Sequence, residues 1–277
     1  MKTIFQSFLK SLLVGAVYVI ALFLGSMIVS VVGLSLPEAK DALGKLIWSF
    51  AGGAIAGFCL GPIVASMPVT RTRHFIVWGS LMFLNLASVA IEGFFFAPEM
   101  VGNTLPSLII QQFLASLAAA WIITALFAPK ESAAPVTAVH RSIFSWMWRF
   151  PISALTYVFF YFVFGAANYI FVTKPYYDTH ASGLAVPAVS VTLTAEIIRG
   201  TLITLSILPF LLTMHTDKKR IALQTGFMLF AIGGVVPLTM QVGVLPLFLL
   251  AASAVEIFFQ NFSTGVVITR LLGVENS

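Results

Sequence analysis

Eight apolar runs divide the chain, at approximately 11–34, 46–67, 74–97, 107–128, 143–172, 186–213, 221–240 and 244–272. A hydrocarbon core of about 30 Å takes about 20 residues of helix. Each run is therefore long enough to cross a bilayer. The fifth and eighth exceed that length, which predicts tilt or extension beyond the bilayer. The polar intervals are too short to fold as soluble domains. The pattern predicts an all-α integral membrane protein with eight transmembrane helices.

Composition agrees with the pattern. Of 277 residues, 59% are apolar and 9% charged. A soluble domain is nearer 45–50% apolar and about 25% charged. The mean hydropathy is +1.01, so the expected solvent is lipid. A net charge of +5 does not point to nucleic acid, because the basic residues fall in short groups between apolar runs. No nucleic-acid partner is expected. Cys59 is the single cysteine and has no intramolecular disulfide partner. No Gly-rich phosphate loop is present, and no cofactor is expected.

Charge gives orientation. Lys2 and Lys10, Arg71 and Arg73, Lys130, Arg141 and Arg149, Lys218, Lys219 and Arg220, and Arg270 belong to one set of chain ends and loops. The alternate set holds Lys40, Lys45 and Lys174. The positive-inside rule then predicts that both termini are cytoplasmic, N-in and C-in. The run at 11–34 is too long for the apolar region of a cleaved signal peptide and reads as a retained first helix. Trp146, Trp148 and Trp78 are expected at the cytoplasmic interface, and Trp48, Tyr176 and Tyr177 at the opposite one, as anchors. Short loops suggest a bacterial cytoplasmic (inner) membrane.

The longest polar connection, 129–142, reads as a cytoplasmic linker between two four-helix units, 1–128 and 143–277. A shift of 147 positions aligns Gly53 with Gly200, Pro62 with Pro209, Met67 with Met214, Arg73 with Arg220 and Gly79 with Gly226. Leu105-Pro106 matches Leu245-Pro246 after a seven-residue gap. An even number of helices per unit makes the repeats parallel, related by a pseudo-twofold along the membrane normal. Gly53, Gly57 and Gly61 share one face of the second helix and predict close helix packing.

Polar residues within the runs are the candidates for chemistry, since a charge at the bilayer centre costs at least about 2.5–3.5 kcal/mol. At 1.5 Å rise per residue, Glu196 lies roughly 13 Å deep and Arg199 roughly 18 Å deep from the outer end of the sixth run. They are three apart and share a face. Glu256 lies about 15 Å deep, with Gln260 and Asn261 about 22 Å deep. Asn85 is near the midplane. Glu92, Gln111, Gln112 and Asn168 fall outward of it. Glu196, Arg199, Glu256, Gln260, Asn261 and Asn85 form the candidate substrate-binding set. Two readings follow. One is an ion pair with amide support joining the sixth and eighth helices. The other is a solute or ion site. One arginine against two glutamates leaves room for a proton or cation.

Enzyme readings are weaker. His74, His140, His180 and His215 lie in loops or at helix ends, with no zinc-type spacing. Residues 178–183 contain Asp, His and Ser too close together for triad geometry. No catalytic or metal-ligating set is expected. The chain reads as a secondary transporter or permease for a small solute or ion, with a non-catalytic membrane subunit or scaffold as the alternative. Expected partners are the lipid bilayer, a small solute or ion, and a second copy or partner membrane subunit.

Overall fold

The computed structural model describes residues 2–37, 41–130, 141–179, 184–214 and 217–273. His140, His180 and His215, and most of 129–142 and of 178–183, lie outside the described residues. All secondary structure of note is helical, and no strand occurs among the described residues.

Eight helices are long and apolar enough to cross a membrane, so an integral membrane protein is the class they fit. They are α1 (Lys2–Val31), α2 (Ala42–Ala65), α3 (Arg71–Phe96), α4 (Leu105–Phe127), α5 (Ile143–Asp178), α6 (Val189–Thr213), α7 (Lys218–Met240) and α8 (Leu247–Leu272). Each coincides with one predicted run. The main difference at the N-terminus is that α1 starts at Lys2. Gln6 and Lys10 interrupt the apolar pattern, yet a helix need not stop where its apolar face does. α5 spans 36 residues. At 1.5 Å per residue that is about 54 Å, so it overruns a single bilayer core as its sequence predicts.

Polar residues outside the runs start several helices. Asp41, Thr70, Ser142 and Asp217 each accept a hydrogen bond from the backbone N–H three residues on. These bonds satisfy first-turn donors that have no intrahelical partner.

The helices pack in a closed ring in the order α1, α2, α7, α8, α5, α6, α3, α4. α2, α3, α6 and α7 bury 50–61% of their apolar windows, against 22–39% for α1, α4, α5 and α8. The first four therefore form the inner layer. The outer four present large apolar side chains such as Trp121, Phe171 and Phe248 outward. Exposed apolar side chains are favourable where the surroundings are lipid.

Association between apolar helices in lipid depends on close packing, not on escape from water. The glycine face of α2 supplies it. A Cβ on Gly53 would lie 2.7 Å from Tyr18 Cβ, and one on Gly57 would lie 2.9 Å from Val14 Cβ. Both contacts are with α1. Trp78 corrects the interface expectation. It is fully buried, and its Nε1 donates to His74 Nδ1 at 3.1 Å. His74 Nε2 bonds Met67 O at 3.1 Å, which ties the start of α3 to the preceding turn. Trp148 remains exposed, with the Arg149 guanidinium over its ring.

Candidate functional site

A cavity of about 700 Å³ occupies one end of the ring. Its mouth is lined by Pro37, Val101, Leu184 and Gln241, one from each of the α1–α2, α3–α4, α5–α6 and α7–α8 connections. Its walls come from both halves of the chain, and its polar depth includes Arg199, Glu256, Gln260 and Asn261. That volume lies in the range of small-molecule sites, about 300–1,000 Å³.

Arg199 organises one wall. Its Nη1 is 2.6 Å from Glu92 Oε1 on α3 and 2.9 Å from Glu196 Oε2 on its own helix. A second contact runs to Glu196 Oε1 at 3.2 Å. The guanidinium also sits over the Tyr157 ring of α5, 5.1 Å from its centroid. One side chain thus joins α3, α5 and α6. The i, i+3 spacing of Glu196 and Arg199 makes the local pair possible. Glu196 is 0% exposed and does not line the cavity.

Glu256 belongs to a separate contact. Its Oε2 accepts from Asn168 Nδ2 of α5 at 2.5 Å. The expected ion pair between the sixth and eighth helices is therefore replaced by two contacts, one of α6 with α3 and one of α8 with α5. Glu256 has no ion pair among the described residues. Its carboxylate faces the same cavity as Arg199.

Amides form the deep end. Gln260 is one turn beyond Glu256 and 2% exposed, and its Nε2 has no hydrogen-bond partner among the described residues. Asn261 Nδ2 donates to Leu229 O of α7 at 3.0 Å. Asn85 Nδ2 donates to Leu81 O at 2.8 Å and to Ser206 Oγ of α6 at 2.7 Å. Asn85 is fully buried and does not line the cavity. A Cβ on Gly233 would lie 3.0 Å from Asn85 Oδ1 and 3.2 Å from Asn261 Nδ2. The two amides therefore meet across that glycine, at the cavity wall.

Backbone irregularity concentrates at this depth. α5 has π-helical turns at Tyr161–Gly165 and Tyr169–Thr173, and α7 has one at Ala231–Val235. Each inserts extra backbone into a turn, a feature frequent at functional sites. Asn168 sits between the two π turns of α5, and Gly233 lies within that of α7.

Several site residues were not in the sequence-derived set. Glu92, Asn168, Tyr157, Tyr161 and Tyr177 all line the cavity. Glu92 is four residues from the end of α3, about 6 Å along its axis, whereas Arg199 is about 15 Å along α6. The long arginine stem closes that difference. Among the described residues, no group of three His, Cys, Asp or Glu side chains could hold a metal ion. No family model matches the chain, nor does any curated protein or solved structure.

Proposed function

We propose that this chain is a secondary transporter or permease for a small solute or ion. The observation that carries the proposal is the cavity of about 700 Å³, which runs from one end of the ring to charged and amide groups contributed by both halves. A purely structural bundle has no need to keep such a space among ionisable side chains, each of which costs free energy to hold in a membrane.

Internal duplication supports the same proposal. The shift of 147 positions takes the first residue of α2, Ala42, to that of α6, Val189, and the first of α3, Arg71, to that of α7, Lys218. It also takes the capping Thr70 to the capping Asp217. Helix contacts survive exchange of the halves: α1 meets α2 and α4 as α5 meets α6 and α8, and α3 meets α6 as α7 meets α2. A parallel pair of four-helix units places a site at their interface and lets one unit rock against the other. With the basic loops cytoplasmic, the cavity mouth faces outward, in what we take to be a bacterial inner membrane.

Cysteine accessibility tests the proposal. In a Cys59→Ala background, Ser253→Cys in the cavity wall should react with a membrane-impermeant maleimide added at the mouth side. Thr264→Cys, buried on the far side of the site, should react from the opposite face in a fraction of molecules, because alternating access opens that side in turn. If Thr264→Cys stays sealed under every pH and solute tried, the transporter proposal fails. The scaffold reading has its own observation: Arg199 is already held by two carboxylates and a ring. It is favoured if Ser253→Cys labels and nothing beyond it ever does.

A further inference from the structure

We propose that the cavity recognises an organic ammonium ion that also carries a hydrogen-bond acceptor, with Glu256 as its counterion and Gln260 as its donor. This rests on the cavity being the solute site. Three carboxylates, Glu92, Glu196 and Glu256, stand near one guanidinium. Glu92 and Glu196 are both on Arg199, so an incoming anion meets an arginine already neutralised; the other lining cation, Lys45, stands in the first turn of α2 and makes no ion pair with Glu256. Glu256 is the uncompensated group: an amide donates to it, and no cation pairs with it among the described residues. A cation arriving there gains a charge-assisted contact in a region of low dielectric.

Gln260 is the independent sign of a ligand. It is 2% exposed, lines the cavity and holds an Nε2 with no partner among the described residues. A buried donor without a partner costs about 1–3 kcal/mol, which a ligand acceptor removes. Glu256 and Gln260 are one helical turn apart on α8, about 6 Å along the axis. The ligand's cationic centre and its acceptor should be separated by a comparable distance.

The walls exclude a bare inorganic ion as the best fit. Tyr157, Tyr161, Tyr177, Phe23 and Phe96 line the space. Aromatic faces attract alkylammonium groups and bury their apolar bodies. A bare cation fills little of about 700 Å³.

Benzoylcholine, which joins a quaternary ammonium, an ester and a phenyl ring, is a suitable probe. Its binding to detergent-purified protein is measured by equilibrium dialysis, with protein-free micelles subtracted. Competitors are its uncharged isostere 3,3-dimethylbutyl benzoate, tetraethylammonium, which lacks an acceptor, and the anion hippurate. Saturable binding is expected, displaced by tetraethylammonium at about tenfold higher concentration and not by hippurate. Glu256→Gln should weaken binding tenfold or more, Glu256→Asp should retain part of it, and Gln260→Ala should weaken it severalfold. If Glu256→Gln does not fold, the competitor series on the wild-type protein still decides. Displacement by the uncharged isostere as effective as by the cation overturns the inference, as does unchanged binding to a folded Glu256→Gln. Binding without uptake into proteoliposomes removes the transport proposal and leaves the cation site. Uptake of other solutes without binding of any cation does the reverse.

Discussion

Arg199 Nη1 lies 2.6 Å from Glu92 Oε1, across the interface between α6 and α3. The same nitrogen is 2.9 Å from Glu196 Oε2, so one edge of the guanidinium serves two carboxylates. Its Nε has no partner among the described residues. The group is therefore over-supplied with negative charge. Glu196 is fully buried, so no water is at hand to relieve its carboxylate if the cation is lost.

Removing the arginine alone should be far worse than removing the whole group. Arg199→Ala leaves two carboxylates facing one another and is expected to cost about 3–5 kcal/mol. The triple change Glu92→Gln, Glu196→Gln and Arg199→Met should recover much of that. Thermal unfolding in detergent, with ligand-free protein, measures both. Equal losses in the single and triple variants would show that the side chains matter through shape and not through charge.

The approach of α7 to α8 makes a second, steric test. A Cβ on Gly265 would lie 2.6 Å from both N and Cα of Gly226, backbone atoms that cannot turn aside. Gly265→Ala should separate the helices and cost about 1–3 kcal/mol. Gly79, which the shift of 147 aligns with Gly226, is different. Its nearest neighbours would be Leu117 Cδ2 at 3.5 Å and Ala120 Cβ at 3.8 Å. Gly79→Ala should be neutral or stabilising by up to about 1 kcal/mol, the difference in helix propensity. Opposite signs in the melting temperatures are the expected result.

These residues also show what the sequence could convey. The eight helices were legible because each apolar run carries its own length signal. That Arg199, Glu256 and Gln260 could meet at one level of the bundle was legible because rise per residue is constant along a helix, and all three line the cavity. Depth along the axis is silent on how far a side chain reaches, and that concealed Glu92 as the partner of Arg199. It is equally silent on which helices are neighbours, so Glu256 was expected beside Arg199 and instead bonds Asn168. Trp78 misled for a different reason. An indole near a span end suits the membrane interface, but His74 one turn earlier offers an acceptor that permits full burial. The π turns around Tyr161, Asn168 and Gly233 left no pattern in the sequence, since an inserted residue disturbs the helical period only locally.

The two arginines before and within α5 hold the end of α8. Arg149 Nη1 donates to Leu271 O at 2.8 Å, Arg141 Nη1 donates to Leu272 O at 3.0 Å, and Arg141 Nη2 donates to Gly273 O. These carbonyls have no intrahelical donor, and positive charge there also suits the helix dipole. Arg141→Gln with Arg149→Gln should fray the last turn and cost about 1–2 kcal/mol. Hydrogen exchange of the amides at 268–273 should accelerate while those at 255–262 stay protected. Faster exchange along all of α8 would mean that the arginines support the whole helix.

Tyr18 and Tyr157 pack alike and should respond differently. A Cβ on Gly53 would lie 2.7 Å from Tyr18 Cβ, and one on Gly200 would lie 3.3 Å from Tyr157 Cβ. Each tyrosine packs against a glycine of the following helix, and the shift of 147 aligns those two glycines. Tyr18 Oη donates to Gln112 Oε1 at 2.7 Å. Tyr157 lines the cavity and sets its ring beneath Arg199. Tyr18→Phe should therefore cost about 1 kcal/mol, the net worth of one hydrogen bond. Tyr157→Phe keeps the ring and should leave stability almost unchanged. Tyr157→Leu removes the ring from beneath the guanidinium and should cost about 2 kcal/mol. Equal losses for the two Phe variants would place the Tyr157 hydroxyl in a structural bond and not at the cavity wall. A larger loss for Tyr157→Phe than for Tyr157→Leu would remove the cation–π contact from the account of how Arg199 is held.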